Sequence, residues 1–284
     1  MQAQQRRSSD TQVAAASEDR TARVGIILSS FKGGEDHFGG TKFAPLKEPR
    51  PVDAELTPAQ VKEMTRRAIE LGSERRGSVE RIIGRDDWTV LLVSRHSDPN
   101  VTAAVQDILR EHGRAQKLTV VTAEDAHAEM MQMPAPGVWA RADATYRVPK
   151  AILHCDKLVS IVPLRIENGR PSLAIDNFRA AVKPVTPAGS ADVAAIDAFC
   201  FHPADYAVLG GTRVLKDGKT IRHNLVIASP FANAADAVGA AILGAKPEQA
   251  PLLELANTRG FGDPTLDVIW MRGNEVEEAA VKFA

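Results

Sequence analysis

Residues 87–121 decide the fold, and they read DWTVLLVSRHSDPNVTAAVQDILREHGRAQKLTVV. The apolar run at 88–93 is typical of a strand that is buried on both faces of a sheet. The next apolar residues recur at helical spacing over 101–112, and Gly113 follows them at the usual position after a helix. The run at 118–121 predicts another strand. This order of strand, helix and strand predicts a parallel α/β unit with a right-handed crossover.

The same patterns extend to both sides of this unit. A buried strand is predicted at 24–28, and a helix is predicted to begin at Pro58, with Thr57 as its N-cap, and to close at Gly72. Residues 124–150 are predicted to be loop-like. The other predicted elements are strands at 206–209, 225–228 and 268–271, turns at Gly210-Gly211 and Asp217-Gly218, and helices at 232–243 and 247–258.

We therefore expect an α/β fold with a mainly parallel sheet and flanking helices, in one unit or in two close lobes. The expected divisions are a disordered leader at 1–22, an N-terminal α/β part at 23–150 and a C-terminal α/β part at 151–284. The leader is polar and lacks the apolar core of a signal peptide, which favours disorder. A cytoplasmic location is expected, unless a targeting segment has been removed from the N-terminus.

Charge and apolar content argue against several classes of protein. The 284 residues include 35 Lys and Arg against 36 Asp and Glu, for a net charge of −1. A sequence-independent grip on nucleic acid needs a strong basic excess, so we expect no nucleic-acid partner. No run approaches the roughly 20 apolar residues of a membrane-spanning helix. The expected partner is a small anionic molecule or another protein, and the sequence leaves the oligomeric state open.

The two cysteines, Cys155 and Cys200, restrict the cofactors. They are too few for a four-cysteine zinc site or iron–sulfur cluster, so we expect no such cluster. Each lies in apolar sequence, which favours buried free thiols over a Cys155–Cys200 disulfide. The chain also has no glycine-rich dinucleotide loop between a strand and a helix and no P-loop, so no tightly held dinucleotide is expected. Any other cofactor is left open by the sequence.

A polar cluster directly after the strand at 88–93 is the first candidate site. It consists of Arg95, His96, Ser97 and Asp98, and ligands of open α/β sheets lie beyond the carboxyl ends of strands. A histidine near a carboxylate can transfer protons, so His96 and Asp98 are the candidate catalytic pair. The alternative is structural: Asp98 is the N-cap of a helix with Pro99 at its first position, and His96 is solvated.

Other polar residues allow more than one interpretation. A metal site would need His96, His154 and His202 to converge, and separate solvated or core histidines are the simpler interpretation. Asp197 and Asp236 each lie within an apolar segment. A carboxylate in such a place requires a partner or a changed pKa. For Asp236 the alternative is a side chain that points out of the core along its helix or caps the helix.

Several segments occur in an order and spacing that a known family shares. In the C-terminal half they are AIDA (195–198), NLVIAS (224–229), ADAV (235–238), LG (243–244) and LANTRGFG (255–262). In the N-terminal half they are LTPAQV (56–61), AIEL (68–71), DWTV (87–90) and SDPNV (97–101). On these segments the chain resembles the family catalogued as “domain of unknown function 362”, over most of residues 24–273. The resemblance implies a fold similar to that of lactate racemases.

The family's polar signatures follow two of its strands, and the resemblance places Arg95 and Arg165 there. Arg165 stands where the family usually has Lys, and Asp176-Asn177 stands where it has Lys-Asn. The resemblance thus implies an anion site of Arg95, Arg165 and Asn177, in an enzyme that binds a small anionic organic substrate at the strand carboxyl ends. Because basic residues of the family are lost, the alternative is a non-catalytic binding or assembly subunit. Some members of the family carry iron–sulfur segments, for which this chain lacks the cysteines.

Overall fold

A mixed β-sheet is the centre of this computed structural model, which describes residues 22–35, 42–73, 79, 82–113, 116–123, 129–137, 144–187 and 189–283. The strands are β1 (Ala22–Leu28), β2 (Gly34–Glu35), β3 (Lys42–Phe43), β4 (Trp88–Val93), β5 (Lys117–Thr122), β6 (Met130–Pro134), β7 (Thr145–Pro149), β8 (Lys157–Glu167), β9 (Arg170–Pro171), β10 (Lys183–Pro184), β11 (Tyr206–Lys216), β12 (Lys219–Ser229) and β13 (Ile269–Gly273). The α-helices are α1 (Pro58–Gly72), α2 (Pro99–Glu111), α3 (Lys150–His154), α4 (Asn177–Ala181), α5 (Ala191–Cys200), α6 (Ala232–Ile242), α7 (Pro251–Thr258) and α8 (Val276–Ala279).

In the described part of the chain the large sheet has the order β13-β1-β12-β11-β8-β4-β5, and β9 pairs with β8. Most neighbours are parallel, but β12 is antiparallel to both β1 and β11, and β9 is antiparallel to β8. β12 runs the opposite way because it follows β11 through the predicted hairpin turn at Asp217-Gly218, where both residues have positive φ. The α/β class is confirmed, and the expectation of a mainly parallel sheet holds only in part.

The N-terminal strand lies within the C-terminal part of the sheet. Gly25 of β1 pairs with Ala228 of β12, and Val24 pairs with Met271 of β13. The unit predicted from residues 87–121 is present as β4, α2 and β5, and its two strands are parallel neighbours. The two parts of the chain therefore share one sheet. Of the predicted leader, Ala22 is the first residue of β1, and 1–21 lie outside the described residues.

Alternating side chains of the sheet enter two apolar layers. One layer packs against α1 and α2, and we call this side of the sheet the α1 face; it buries Ile27, Leu91, Ile161, Val208 and Val226. The other layer packs against α5, α6 and α7, and we call this side the α6 face; it buries Val90, Leu92, Val162, Leu209 and Leu225. Strands covered on both faces require continuous apolar runs, as the sequence shows.

Glycines bring α1 unusually close to the sheet. A Cβ atom at Gly25 would lie 2.2 Å from the carbonyl oxygen of Ala68, and one at Gly72 would lie 2.1 Å from that of Ala228. The helix begins as predicted, with Thr57 as N-cap in a capping box. Gly72, however, does not follow the helix but is its last residue. Close contact with β12, not a left-handed backbone, requires glycine at this position.

Two segments differ from the sequence prediction. In 124–150, predicted to be loop-like, the described residues form β6 and β7, which make a separate three-stranded sheet with β10. These strands are stabilised by burial of Tyr146 and Val148 in the core, a tertiary effect that the Met-rich β6 does not signal locally. Gly210-Gly211 do not turn the chain, because β11 continues through them with a register shift. None of the described helices is long and apolar enough to cross a bilayer.

Candidate site at the carboxyl ends of the strands

The loop after β4 folds over β8 and carries two exposed polar side chains. The backbone N–H of Ser94 and the hydroxyl of Ser97 both donate to the carbonyl oxygen of Ile161, at 3.0 and 2.8 Å. Arg95 and His96 are exposed on this loop, and Arg95 Nε donates to His96 Nε2 at 2.9 Å. The guanidinium and the imidazole therefore form one polar unit at the carboxyl edge of the sheet.

Asp98 is the N-cap of α2, which confirms the structural alternative for this residue. Its Oδ1 accepts from the N–H of Asn100 at 2.9 Å. Its Oδ2 accepts from both the N–H and the hydroxyl of Thr212 on β11, at 2.9 and 2.6 Å. These three bonds direct the carboxylate towards α2 and β11, and they tie the start of the helix to the irregular part of β11.

Arg165 does not follow the end of its strand, as expected, because β8 continues to Glu167. It lies on the outer half of β8, on the α1 face. Val93 pairs with Ile161, both pack in the layer of that face, and Arg165 follows Ile161 by an even number of residues along the same strand. Its guanidinium donates to Ser172 Oγ at 2.7 Å and lies 3.5 Å from the carboxylate of Glu167. Arg165 is therefore on the same face as the loop that carries Arg95 and His96.

The contact with Ser172 also directs Arg165 towards β4. Ile166 pairs with Lys216 of β11 and with Pro171 of β9, so β9 occupies the side of β8 that faces β4. Ser172 follows β9 directly. Because β4 ends at Val93, its loop leaves the sheet on this side, and the guanidinium of Arg165 points to the same side.

A largely buried carboxylate, that of Asp176, holds Ser172 in place. Ser172 Oγ donates to Asp176, and Arg179 Nε donates to the same carboxylate at 2.7 Å. Burial alone would raise the pKa of Asp176, but the hydrogen bonds from Arg179 and Ser172 outweigh it and keep the pKa below its usual value. The ionised group thus orients Ser172, which in turn orients Arg165.

Asn177 lies in the core and not beside the arginines. It is 6% exposed, and its Nδ2 donates to the carbonyl oxygen of Leu92 at 3.1 Å and to Ser160 Oγ at 3.2 Å. Ser160 neighbours Ile161 along β8, so its side chain points to the opposite α6 face. The amide of Asn177 therefore links β4 and β8 from the interior.

Two arginines outside the sequence-predicted site lie on the α1 face. Arg213 of β11 pairs with Arg222 of β12, and both are exposed. Gly210 and Gly211, with φ of 102° and 139°, form the bulge that precedes Arg213. The sequence contains a signal that could have found this pair. The hairpin turn at Asp217-Gly218 fixes the register of the two strands, and counting outward from the turn places residue 213 opposite residue 222.

Asp236 stabilises the segment that leads to the site. It is 1% exposed on α6, and its two oxygens accept from the N–H groups of Ala174 and Ile175, at 2.8 and 2.9 Å. It therefore anchors the segment that leads to Asp176. Burial raises the pKa of Asp236 to about 7, because desolvation exceeds the opposing effect of the two backbone hydrogen bonds.

We expect Asp236 to lower the free energy of unfolding as the pH rises from about 4 to about 7. The pKa is about 7 in the fold and 3.8 without it, so the folded chain keeps a proton that the unfolded chain releases in this range. Denaturant titrations of the wild type and Asp236→Asn at several pH values measure the effect. The stability of the wild type relative to the variant should fall with pH, and a difference that is constant or rises would contradict the assignment.

Cys155, His202 and Asp205 meet at the opposite, amino edge of β8 and β11. The sulfur of Cys155 lies 3.9 Å from both ring nitrogens of His202, and His202 Nε2 lies 3.7 Å from Asp205. Burial raises the pKa of Cys155 to about 12, so the group is a protonated thiol and not a nucleophile. Cys155 and Cys200 are both free, Cys155 buried and Cys200 partly so.

The histidines are divided between the two edges of the sheet. His96 follows the carboxyl end of β4, whereas His154 and His202 precede the amino ends of β8 and β11. Among the residues that the structure describes, no group of three His, Cys, Asp or Glu side chains could hold a metal ion.

The comparisons with known proteins found no match for this chain. No protein-family model matches it, and no curated protein and no solved structure matches it either. The resemblance to “domain of unknown function 362” therefore stays a prediction from the sequence, and the site has to be interpreted from its own chemistry.

Proposed function

We propose that this chain binds a small anionic organic molecule at the carboxyl ends of β4 and β8. The observation that supports the proposal is the placement of Arg95, His96 and Arg165 on one face and at one edge of the sheet. Guanidinium groups bind carboxylates and phosphates through charge-assisted, paired hydrogen bonds. The N-terminus of α2 points to the same edge and favours negative charge there.

The geometry favours binding over acid–base catalysis by the pair first considered. Both oxygens of Asp98 are engaged by Asn100 and Thr212, so Asp98 does not orient His96. Proton transfer in this site would have to come from His96 itself. This observation favours the second candidate function, a non-catalytic binding or assembly subunit, over an enzyme that uses His96 and Asp98 together.

Replacing Arg165 with alanine should weaken the binding of inorganic phosphate or malonate by about 1.5–3 kcal/mol, because this is the usual contribution of a hydrogen bond to a charged group. The loss corresponds to an increase in Kd of about 10- to 150-fold. Isothermal titration calorimetry at constant ionic strength measures this. Arg110→Ala is the matched control, since Arg110 is exposed in the last turn of α2, at the far end of the helix. Equal losses in the two variants, or no loss in Arg165→Ala, would overturn the proposal.

A further inference from the structure

Three arginines form a row across three neighbouring strands of the α1 face. Arg165 of β8 lies beside Leu215 of β11, so Arg213, two residues earlier on β11, is its diagonal neighbour. Strand spacing and rise place the two Cβ atoms roughly 8 Å apart. Arg222 of β12 lies directly opposite Arg213 and completes the row.

The bulge in β11 decides which face Arg213 occupies. Leu209 and Val214 both enter the layer of the α6 face, although five positions separate them and regular alternation would set them on opposite faces. The bulge at Gly210-Gly211 therefore turns Val214 into the core and Arg213 to the α1 face. Bulges re-aim side chains in this way next to functional sites.

The bulge is closely fitted to the site already described. A Cβ atom at Gly210 would lie 2.1 Å from the carbonyl oxygen of Leu225, and one at Gly211 would lie 2.6 Å from the Cβ of Asp98. The carboxylate of Asp98 also holds Thr212, the residue before Arg213. The N-cap of α2 thus fixes the part of β11 that sets the direction of Arg213.

The pair of arginines is unfavourable without a ligand. Like charges directly opposite each other on a sheet repel and lower its stability. Within the described residues neither Arg213 nor Arg222 has a side-chain partner that would compensate the repulsion. An anion between the two guanidinium groups would remove this cost and gain charge-assisted hydrogen bonds.

We infer that Arg213 and Arg222 form a second anion subsite, so that the ligand carries two anionic groups, one at Arg95 and Arg165 and the other at Arg213 and Arg222. This inference rests on the proposed function, because it extends the same site along the sheet. The substrate class is then a phosphorylated acid, a diphosphate or a similar dianion, rather than a simple monocarboxylate.

Calorimetric titration with inorganic phosphate and with tripolyphosphate, at equal ionic strength, tests the inference. Wild-type protein should bind tripolyphosphate at least tenfold more tightly than phosphate. Arg222→Gln should abolish most of this difference in affinity. Arg165→Ala should weaken the binding of both probes.

Lys219→Gln is the matched control on the same hairpin. Lys219 is exposed and pairs with Lys216, whose ammonium packs on Phe283, and this pair points away from the α1 face. If Lys219→Gln weakens the binding of tripolyphosphate as much as Arg222→Gln does, the titration measures only general charge attraction, and the inference fails. It also fails if Arg222→Gln binds tripolyphosphate as wild type does. In both cases an Arg165-dependent affinity for phosphate would leave the proposed function standing.

Discussion

Asp197→Ala should lower the free energy of unfolding by about 3–5 kcal/mol, the usual cost of breaking a buried ion pair from one side. Asp197 is 1% exposed on α5, and it accepts from Arg259 at 2.6 Å and from the hydroxyl of Tyr146 at 2.8 Å. The side chain of Arg259 is only 9% exposed. Without Asp197 its guanidinium would remain buried and uncompensated, which is the source of the large effect.

Two further variants separate the ion pair from the packing around it. Tyr146→Phe removes one hydrogen bond to a charged group and should cost about 1.5–3 kcal/mol. The double variant Asp197→Leu with Arg259→Met removes both charges and should recover most of the loss, since buried pairs are often replaceable by apolar residues. Denaturant titrations of the four proteins provide the comparison. A loss below about 1 kcal/mol in Asp197→Ala would show that the pair does not hold α5 to the turn after α7.

The two buried aspartates show how far sequence reasoning extends. A carboxylate within an apolar segment signals that its burial must be compensated. The sequence indicates this at Asp197 and Asp236, and at Asp236 it also allows a side chain that points out of the core or caps the helix. The structure provides a cation at the first, Arg259, and a raised pKa at the second. Which of the two applies depends on residues far away in the chain, and local sequence does not identify them.

In the candidate site, too, some features follow from the local sequence and others depend on distant residues. The position of Arg95 and His96 follows from a strand that ends in a polar loop, and the cap at Asp98 follows from the Pro99 that begins α2. The engagement of Asp98 by Thr212 and the face taken by Arg213 depend on the bulge in β11. A glycine pair predicts a turn as readily as a bulge, and only the pairing of β11 with β8 and β12 distinguishes them.

Gly72→Ala should lower the free energy of unfolding by about 3 kcal/mol, at the upper end of the cost of overpacking. Alanine is the better helix former by about 1 kcal/mol, so helix propensity alone predicts a gain. The new Cβ atom would lie 2.1 Å from the carbonyl oxygen of Ala228, however, and 2.8 Å from its carbonyl carbon. Ala228 is fixed on both sides by its pairing with Gly25 and Val208, so the sheet cannot move away without breaking those pairs.

The matched control for this substitution is Gly239→Ala in α6. The three atoms nearest to a Cβ atom there would be the ends of leucine side chains, at 3.1–3.2 Å, which need to move by only a few tenths of an ångström. We expect its stability to change by less than about 1 kcal/mol, because the helix-propensity gain offsets the small repacking cost. Urea titrations of both variants decide the point. If Gly72→Ala is as stable as Gly239→Ala, the close approach of α1 to β12 does not restrict this position, and its glycine would have to be explained by something other than packing.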